Sequence, residues 1–233
     1  MDELAASADG LMVEDCRFCR PPEPWRIIWS TRNFNVQMGL GPLKEGYALI
    51  LSRSHYSCCA ELPHSQAAEF EHIAQMVRKA QINLYGESLM FEHGRSGACV
   101  PPGHGDDQCY HAHLHFLPAA VNMADSIGVD FASAVFDDWA AVRDRYALTG
   151  RPYLLAENGG RIVYAETPDR IRSRYLRRIA ATALGTPELE DWVAFPNYTI
   201  VKAGRDRMSL ELNRLIEEAG KDATAASTKI SAI

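Results

Sequence analysis

Tyr110-His111-Ala112-His113-Leu114-His115-Phe116-Leu117 is the stretch on which the reading of this chain turns. Side chains on a β-strand alternate faces with period two. A strand here puts His111, His113 and His115 on one face and Ala112, Leu114 and Phe116 on the other. The apolar set can enter a core while the imidazoles line a cleft on rigid backbone. A neutral imidazole is a good nucleophile toward phosphorus near pH 7, provided one ring nitrogen is free. His113, with an imidazole on either side, is the candidate nucleophile. His115 is placed to donate to a phosphoryl oxygen or a leaving group. A metal reading competes. The outer two histidines would lie about 13 Å apart at Cα, so one ion cannot take all three. A catalytic zinc on His55, His111 and His113 stays open.

Outward from this strand, the pattern is α+β. Trp25 to Ser30 and Phe34 to Leu40 predict strands across the polar turn Thr31-Arg32-Asn33. Tyr47 to Leu51 is continuously apolar and predicts a buried strand ending at Ser52-Arg53-Ser54-His55. Ala67, Phe70, Ile73, Ala74, Val77, Ala80 and Leu84 recur at three- and four-residue spacing, a long amphipathic helix with Ser65 as its N-cap and Gly86 at its end. Leu89 to Glu92 predicts a strand. His93 to Gln108, rich in Gly and Pro, predicts a loop over the site. Beyond Pro118, Tyr153–Glu157 and Arg161–Ala165 predict a hairpin around Asn158-Gly159-Gly160. Ile171 to Leu184 and Asp206 to Ala219 predict helices stopped by Gly185 and Gly220. Arg174, Arg177 and Arg178 read as a solvated helix face, with reach to a phosphate as the alternative. Residues 1–15 read as a flexible arm and 220–233 as a disordered tail.

At 233 residues the chain can bury one good core, or one core plus an appended subdomain. Its net charge of −6 gives no general attraction to nucleic acid or to an anionic membrane. The N-terminal residues are acidic and lack the apolar core of a signal peptide, and no segment has the roughly 18 apolar residues of a membrane span. A cytoplasmic setting with reduced cysteines is the expectation. Cys16 and Cys19 with two histidines make a chemically sensible zinc set. Cys58, Cys59, Cys99 and Cys109 read as small hydrophobes, and His64 and His72 as surface residues.

These residues resemble the histidine triad (HIT) superfamily. His111-Ala112-His113-Leu114-His115-Phe116-Leu117 is similar to its signature of three histidines separated by apolar residues. Cys16-Arg17-Phe18-Cys19 resembles the N-terminal Cys-x-x-Cys of many members. Gly46 to His55 resembles the strand that ends in a histidine, and Phe91-Glu92-His93-Gly94 the short motif before the phosphate-binding loop. The resemblance covers residues 16–118, a HIT-like catalytic domain. Residues 119–219 would then be a mixed α/β extension packed on it, similar to that of some larger bacterial relatives.

The resemblance implies an antiparallel sheet packed by a long helix. It implies a nucleotide hydrolase or nucleotidyltransferase that attacks the α-phosphate of a nucleoside phosphate conjugate and forms a nucleotidyl-histidine on His113, with His111 and His115 beside it. Gln108, His93 and Gly94 would meet the substrate. Structural zinc would sit on Cys16, Cys19, His55 and His111, and a homodimer is implied. Two departures keep substrate and acceptor open: Gln108 stands where purine-nucleotide phosphoramidases carry serine, and Ala112 where the transferases carry proline. A nucleotide- or metal-binding module without turnover is the alternative, with the zinc-dependent hydrolase as a third.

Overall fold

The computed structural model describes residues 12–14, 16–97, 110–158 and 160–230, with side chains given as far as residue 221 apart from Asn158. Among the described residues eight strands form one sheet: β1 (Ile27–Ser30), β2 (Phe34–Met38), β3 (Ala48–Ser52), β4 (Leu89–Gly94), β5 (His113–Leu117), β6 (Ser133–Phe136), β7 (Tyr153–Asn158) and β8 (Arg161–Glu166). Their order is β1-β2-β3-β5-β4-β7-β8-β6, and every pairing is antiparallel. Helices α1 (Ala67–Tyr85), α2 (Met123–Asp130), α3 (Trp139–Thr149), α4 (Tyr175–Ala183) and α5 (Tyr198–Ile230) cover it. This is the α+β arrangement that the sequence implied.

The sheet separates two cores. Leu114 and Phe116 of β5 point to one side, with Ile50, Met90 and Tyr153, against Phe70, Ile73 and Val77 of α1 and Met208 and Leu212 of α5. Leu117 points to the other side, with Leu49, Phe91 and Leu154, against Met123 and Ile127 of α2 and Tyr175, Leu176 and Ala180 of α4. Leu114 and Phe116 are fully buried, each worth about 1.5–3 kcal/mol of transfer free energy. The period-two alternation thus hands His113 and His115 to the α2/α4 side.

β7 pairs with β4 in register from Phe91↔Ala156 to Gly94↔Tyr153, so the hairpin after residue 118 extends the same sheet. That close pairing needs a glycine at position 94, where an added Cβ would stand 2.1 Å from the Tyr153 ring. The two edges of the sheet are β1 and β6.

Several boundaries differ from the sequence reading. Trp25 lies in a one-turn 3-10 segment (Pro24–Arg26), and β2 stops at Met38. Ser65 is not a cap: it sits inside a 3-10 turn, His64–Gln66, that leads into α1, and no side chain caps that helix. β4 continues to Gly94 because β7 supplies its hydrogen bonds, so His93 and Gly94 belong to a strand. β5 begins at His113, because Ala112 gives its N–H to the Tyr56 carbonyl. α4 starts at Tyr175, after Arg174 in the left-handed region at φ 57°. α5 starts at Tyr198 and runs through Gly220, so the expected stop and most of the expected disordered tail are helical backbone up to Ile230. A glycine costs a helix only about 1 kcal/mol, and Ala-rich sequence follows it. α2, β6 and α3 escaped the sequence reading altogether. β6 is largely exposed, and in α2 and α3 exposed apolar residues such as Val129 and Leu148 blur the buried face. Among the described residues no helix is long and apolar enough to cross a membrane.

The turn between β1 and β2 carries its own electrostatic anchor. Glu69 of α1 accepts from the Thr31 hydroxyl (2.5 Å), the Asn33 amide nitrogen (2.5 Å) and the Asn33 backbone N–H (3.1 Å). Burial works against this carboxylate, but the hydrogen bonds outweigh it and hold its pKa below the ordinary value. A depressed carboxylate pKa contributes stability above the unfolded-state value of about 4.3 and loses it as pH falls through the folded-state value. Glu69→Gln should therefore cost about 1 kcal/mol at pH 7, allowing for the partial exposure of the group. Urea melts at pH 7 and pH 3 check this: the gap between wild type and variant should shrink at the lower pH.

Candidate active site and metal site

His113 is set by its own backbone. Its Nδ1 lies 2.6 Å from the His111 carbonyl. A carbonyl only accepts, so Nδ1 carries the proton and Nε2 keeps its lone pair. Burial lowers the His113 pKa, with the His111 carbonyl and Glu92 acting against the shift. The ring borders a cavity, partly open to solvent, that is lined also by Phe18, Tyr47, His93, His115, Arg177 and Trp192. No Asp or Glu is in this lining among the described residues.

His115 stands beside it, ring centroids 4.7 Å apart, stacked on Phe91 at 4.6 Å and 8°. The Tyr47 hydroxyl lies 2.6 Å from His115 Nδ1. Burial, then the charges at His113, His93 and Arg177, keep the His115 pKa well below its ordinary value. His93 accepts the Leu176 N–H at Nε2 (3.0 Å), tying α4 to β4. Burial, then His113 and Arg177, push His93 down to about 3. Both rings are neutral around pH 7.

His111 turns to a different task. Its Nε2 lies 2.7 Å from the Ser52 carbonyl, so that nitrogen holds the proton and Nδ1 is free. Nδ1 faces Cys16 Sγ at 3.5 Å, Cys19 Sγ at 3.7 Å and His55 Nδ1 at 3.3 Å; Cys19 Sγ is 3.3 Å from His55 Nδ1. All four ligand atoms lie within 4.8 Å of one another. A tetrahedral zinc with bonds of about 2.3 Å to sulfur and about 2.05 Å to nitrogen demands edges of about 3.3 Å for N–N and about 3.5 Å for S–N. The four separations that involve His111 or join Cys19 to His55, 3.3–3.7 Å, are close to these edges. Two facing lone-pair nitrogens otherwise repel, and a cation between them resolves that. The cluster Cys16, Cys19, His55 and His111 could thus hold a metal, and its geometry is compatible with zinc. Burial pushes His111 down to about 4, which suits a ligand that must be neutral. Its Nε2–H bond to Ser52 is the outer support that orients such a ligand.

The two sites share a wall. The turn between Cys16 and Cys19 carries Phe18, whose ring centroid is 5.0 Å from His113 and 5.6 Å from His111. Arg17 of the same turn lies over the Trp192 ring at 4.5 Å.

Of the residues singled out from the sequence, His93, His113 and His115 line the cavity, and Cys16, Cys19, His55 and His111 form the cluster behind it. Gly94 packs on Tyr153 on the other side of the sheet. Gln108, and with it His104, Cys99 and Cys109, lies outside the described residues. His64 and His72 are exposed, and Cys58 and Cys59 are buried, as their surroundings in sequence implied. Arg177 is not on a solvated face: it is 5% exposed and lines the cavity. Sequence reading missed Tyr47, Phe18, Trp192 and Glu92. Glu92 is fully buried on the α1 side of β4, where it accepts from the Cys59 N–H and the Tyr153 hydroxyl, both at 2.7 Å. A signal for Tyr47 was available, since strand alternation from Leu49 puts it on the histidine face.

No protein-family model matches the chain, and no curated protein matches it. Solved structures do. A hypothetical histidine triad nucleotide-binding protein from Sulfolobus tokodaii aligns with 45% of this chain and 68% of its own, at 15% identity and TM-score 0.34. A Hit-like protein involved in cell-cycle regulation from Bartonella henselae aligns with 41% of this chain and 68% of its own, at 12% identity and TM-score 0.32. The yeast Ap4A phosphorylase Apa2, solved in complex with AMP, aligns with 67% of this chain and 64% of its own, at 12% identity and TM-score 0.40. Two of these three neighbours are described as a histidine triad or Hit-like protein.

Proposed function

We propose that this protein is a nucleotide hydrolase or nucleotidyltransferase that uses His113 as its nucleophile. The observation that carries this reading is the His113 Nδ1–His111 carbonyl contact of 2.6 Å beside a cavity whose described lining holds arginines and histidines and no carboxylate. Nε2 of His113 attacks the α-phosphorus of a nucleoside phosphate conjugate. A P–N bond forms, the P–O bond to the leaving group breaks, and its electron pair departs with the leaving oxygen. An acceptor then attacks phosphorus, and the P–N bond returns its pair to Nε2. The acceptor, when it is water or an alcohol, gives up its proton in that second step.

Within this reading the Tyr47 hydroxyl donates to His115 Nδ1, so His115 carries its proton on Nε2 and offers it as a hydrogen bond to a phosphoryl oxygen. His113 and His115 are thereby held in opposite tautomers, one with a lone pair and the other with a donor. Tyr47→Phe should lower kcat about 10-fold and leave the fold intact, since one hydrogen bond to a buried ring is lost. Turnover and thermal melting of that variant check it.

Zinc is the metal we assign to Cys16, Cys19, His55 and His111. Four protein ligands close the coordination sphere, the pattern of a structural ion. Among the described residues the ligand atoms that converge are those of Cys16, Cys19, His55 and His111, and His113 is not one of them, which counts against the rival catalytic zinc on His55, His111 and His113.

The test is direct. Protein incubated with nucleoside polyphosphates labelled on the α-phosphate should acquire an acid-labile, base-stable label at His113. No label from any of the four common bases, or equal label on His113→Ala, would remove the reading.

A further inference from the structure

Arg17, Arg26, Arg174 and Arg177 line the cavity. The first three are engaged. Arg26 pairs with Glu23 at 3.1 Å and donates to the Met38 carbonyl. Arg174 pairs with Asp191 at 2.7 Å. Arg17 is stacked on Trp192. Arg177 differs. Its Nε donates to the Glu190 carbonyl (3.4 Å), and one terminal nitrogen donates to the carbonyls of Gly41 (2.7 Å) and Leu189 (2.8 Å). The Glu190 carboxylate turns away to Arg172 at 3.2 Å. Among the described residues no carboxylate pairs with Arg177. A buried cation ordinarily carries a counter-ion, because carbonyl dipoles offset only part of its desolvation.

The position of this cation is specific. Its guanidinium carbon lies 5.3 Å from the Tyr47 ring centroid, and the hydroxyl of that tyrosine touches His115. The backbone clamp is built for it. Gly41 approaches the loop after the 187–190 turn so closely that a Cβ there would meet Trp192 at 2.4 Å, which lets its carbonyl reach Arg177. α4 is fixed to β4 by the Leu176–His93 bond one residue earlier. The charge is therefore held rigidly on the His115 side of His113, by the carbonyls of Gly41, Leu189 and Glu190.

We propose that Arg177 is the centre of a second anion subsite, beside His115, which takes a phosphate group distinct from the one attacked by His113. The proposal rests on the reading of the cavity as a phosphate-ester site, and it makes the ligand one with two anionic groups at this cavity. Those groups are either linked in one substrate or divided between a substrate and a free phosphate acceptor.

Inorganic phosphate and pyrophosphate separate these sources without presuming a base. Calorimetric titrations of wild type, Arg177→Met, Arg177→Lys and His113→Ala are the measurement, with thermal melts of each. Linked groups predict that pyrophosphate binds wild type at least about 10-fold more tightly than phosphate, and that Arg177→Met erases the difference. A free acceptor predicts that both anions bind equally and that Arg177→Met weakens both about 10-fold. Arg177→Lys, which keeps the charge, should retain part of the binding. Wild-type affinities on an Arg177→Met protein of unchanged melting temperature overturn the proposal, as does a wild type that binds neither anion. Should Arg177→Met not fold, a pyrophosphate soak of wild-type crystals decides: an anion within ion-pair distance of Arg177 supports the subsite, and one seated elsewhere sinks it. Arg177-dependent binding without any labelled histidine would leave the subsite standing and remove the nucleotidyl-transfer reading alone.

Discussion

Exchange of His113 for alanine is expected to reduce turnover about 10⁴-fold or more, with little change in melting temperature or in binding of inorganic phosphate. The reason lies in how the ring is held. The nucleophile needs a lone pair aimed at phosphorus, and the His111 carbonyl secures it by fixing the proton on Nδ1. Among the described residues no neighbour can take over. His111 has turned its free nitrogen to the Cys16–Cys19 cluster, and His115 has its Nδ1 against Tyr47. Burial and nearby positive charge keep His115 and His93 neutral but do not aim their lone pairs into the cavity's reacting position. The measurements are single-turnover kinetics and a labelled-adduct assay on wild type and variant. Residual turnover within about 10-fold of wild type would show that His113 is not the nucleophile.

Removal of the proposed zinc is expected to have the next largest effect, on stability first. The four ligands come from the N-terminal turn (Cys16, Cys19), the segment after β3 (His55) and the lead into β5 (His111). A metal there cross-links chain segments separated by as many as 95 residues. The rest of the fold has its own core on both sheet faces, so chelation should not unfold the whole chain. We expect a loss of about 3–5 kcal/mol, seen as a fall of roughly 10 °C in melting temperature. Cys19→Ser should behave likewise, while exposed His72→Ala should not. Activity should fall as well, through KM more than kcat, because the freed turn carries Phe18 and Arg17 away from the cavity. Loss of kcat on chelation, with no fall in melting temperature, would mark a catalytic ion instead. Elemental analysis of the purified protein shows which metal is carried.

Much of this site was legible in the sequence because short-range periodicity encodes it. Alternation over residues 111–117 is enough to put His113 and His115 together on one face with Leu114 and Phe116 behind them. The zinc set implied by the family resemblance, Cys16, Cys19, His55 and His111, is made of four residues that do converge. Helix α1 was legible for the same reason, its apolar positions recurring once per turn. Its start was not. Ser65 has the chemistry of a cap, but the chain enters through a 3-10 turn, a choice made by packing and not by propensity. In α2, β6 and α3 exposed apolar residues such as Val129, Val135 and Leu148 blur the period that the buried positions set. Gly220 signalled a stop that propagation of α5 overrides.

The amino-acid order alone determined that His113 and His115 share one face of a buried strand, because that relation depends on spacing along the chain. Tertiary structure decided the division of labour among the histidines: which carbonyl takes which ring proton depends on Ser52 and on the path of residues 111 and 112. It also decided that β7 closes the edge of β4 and that α4 brings Arg177 under Tyr47. Those contacts join residues more than 50 positions apart, and only the packing of the whole sheet fixes distances of that kind.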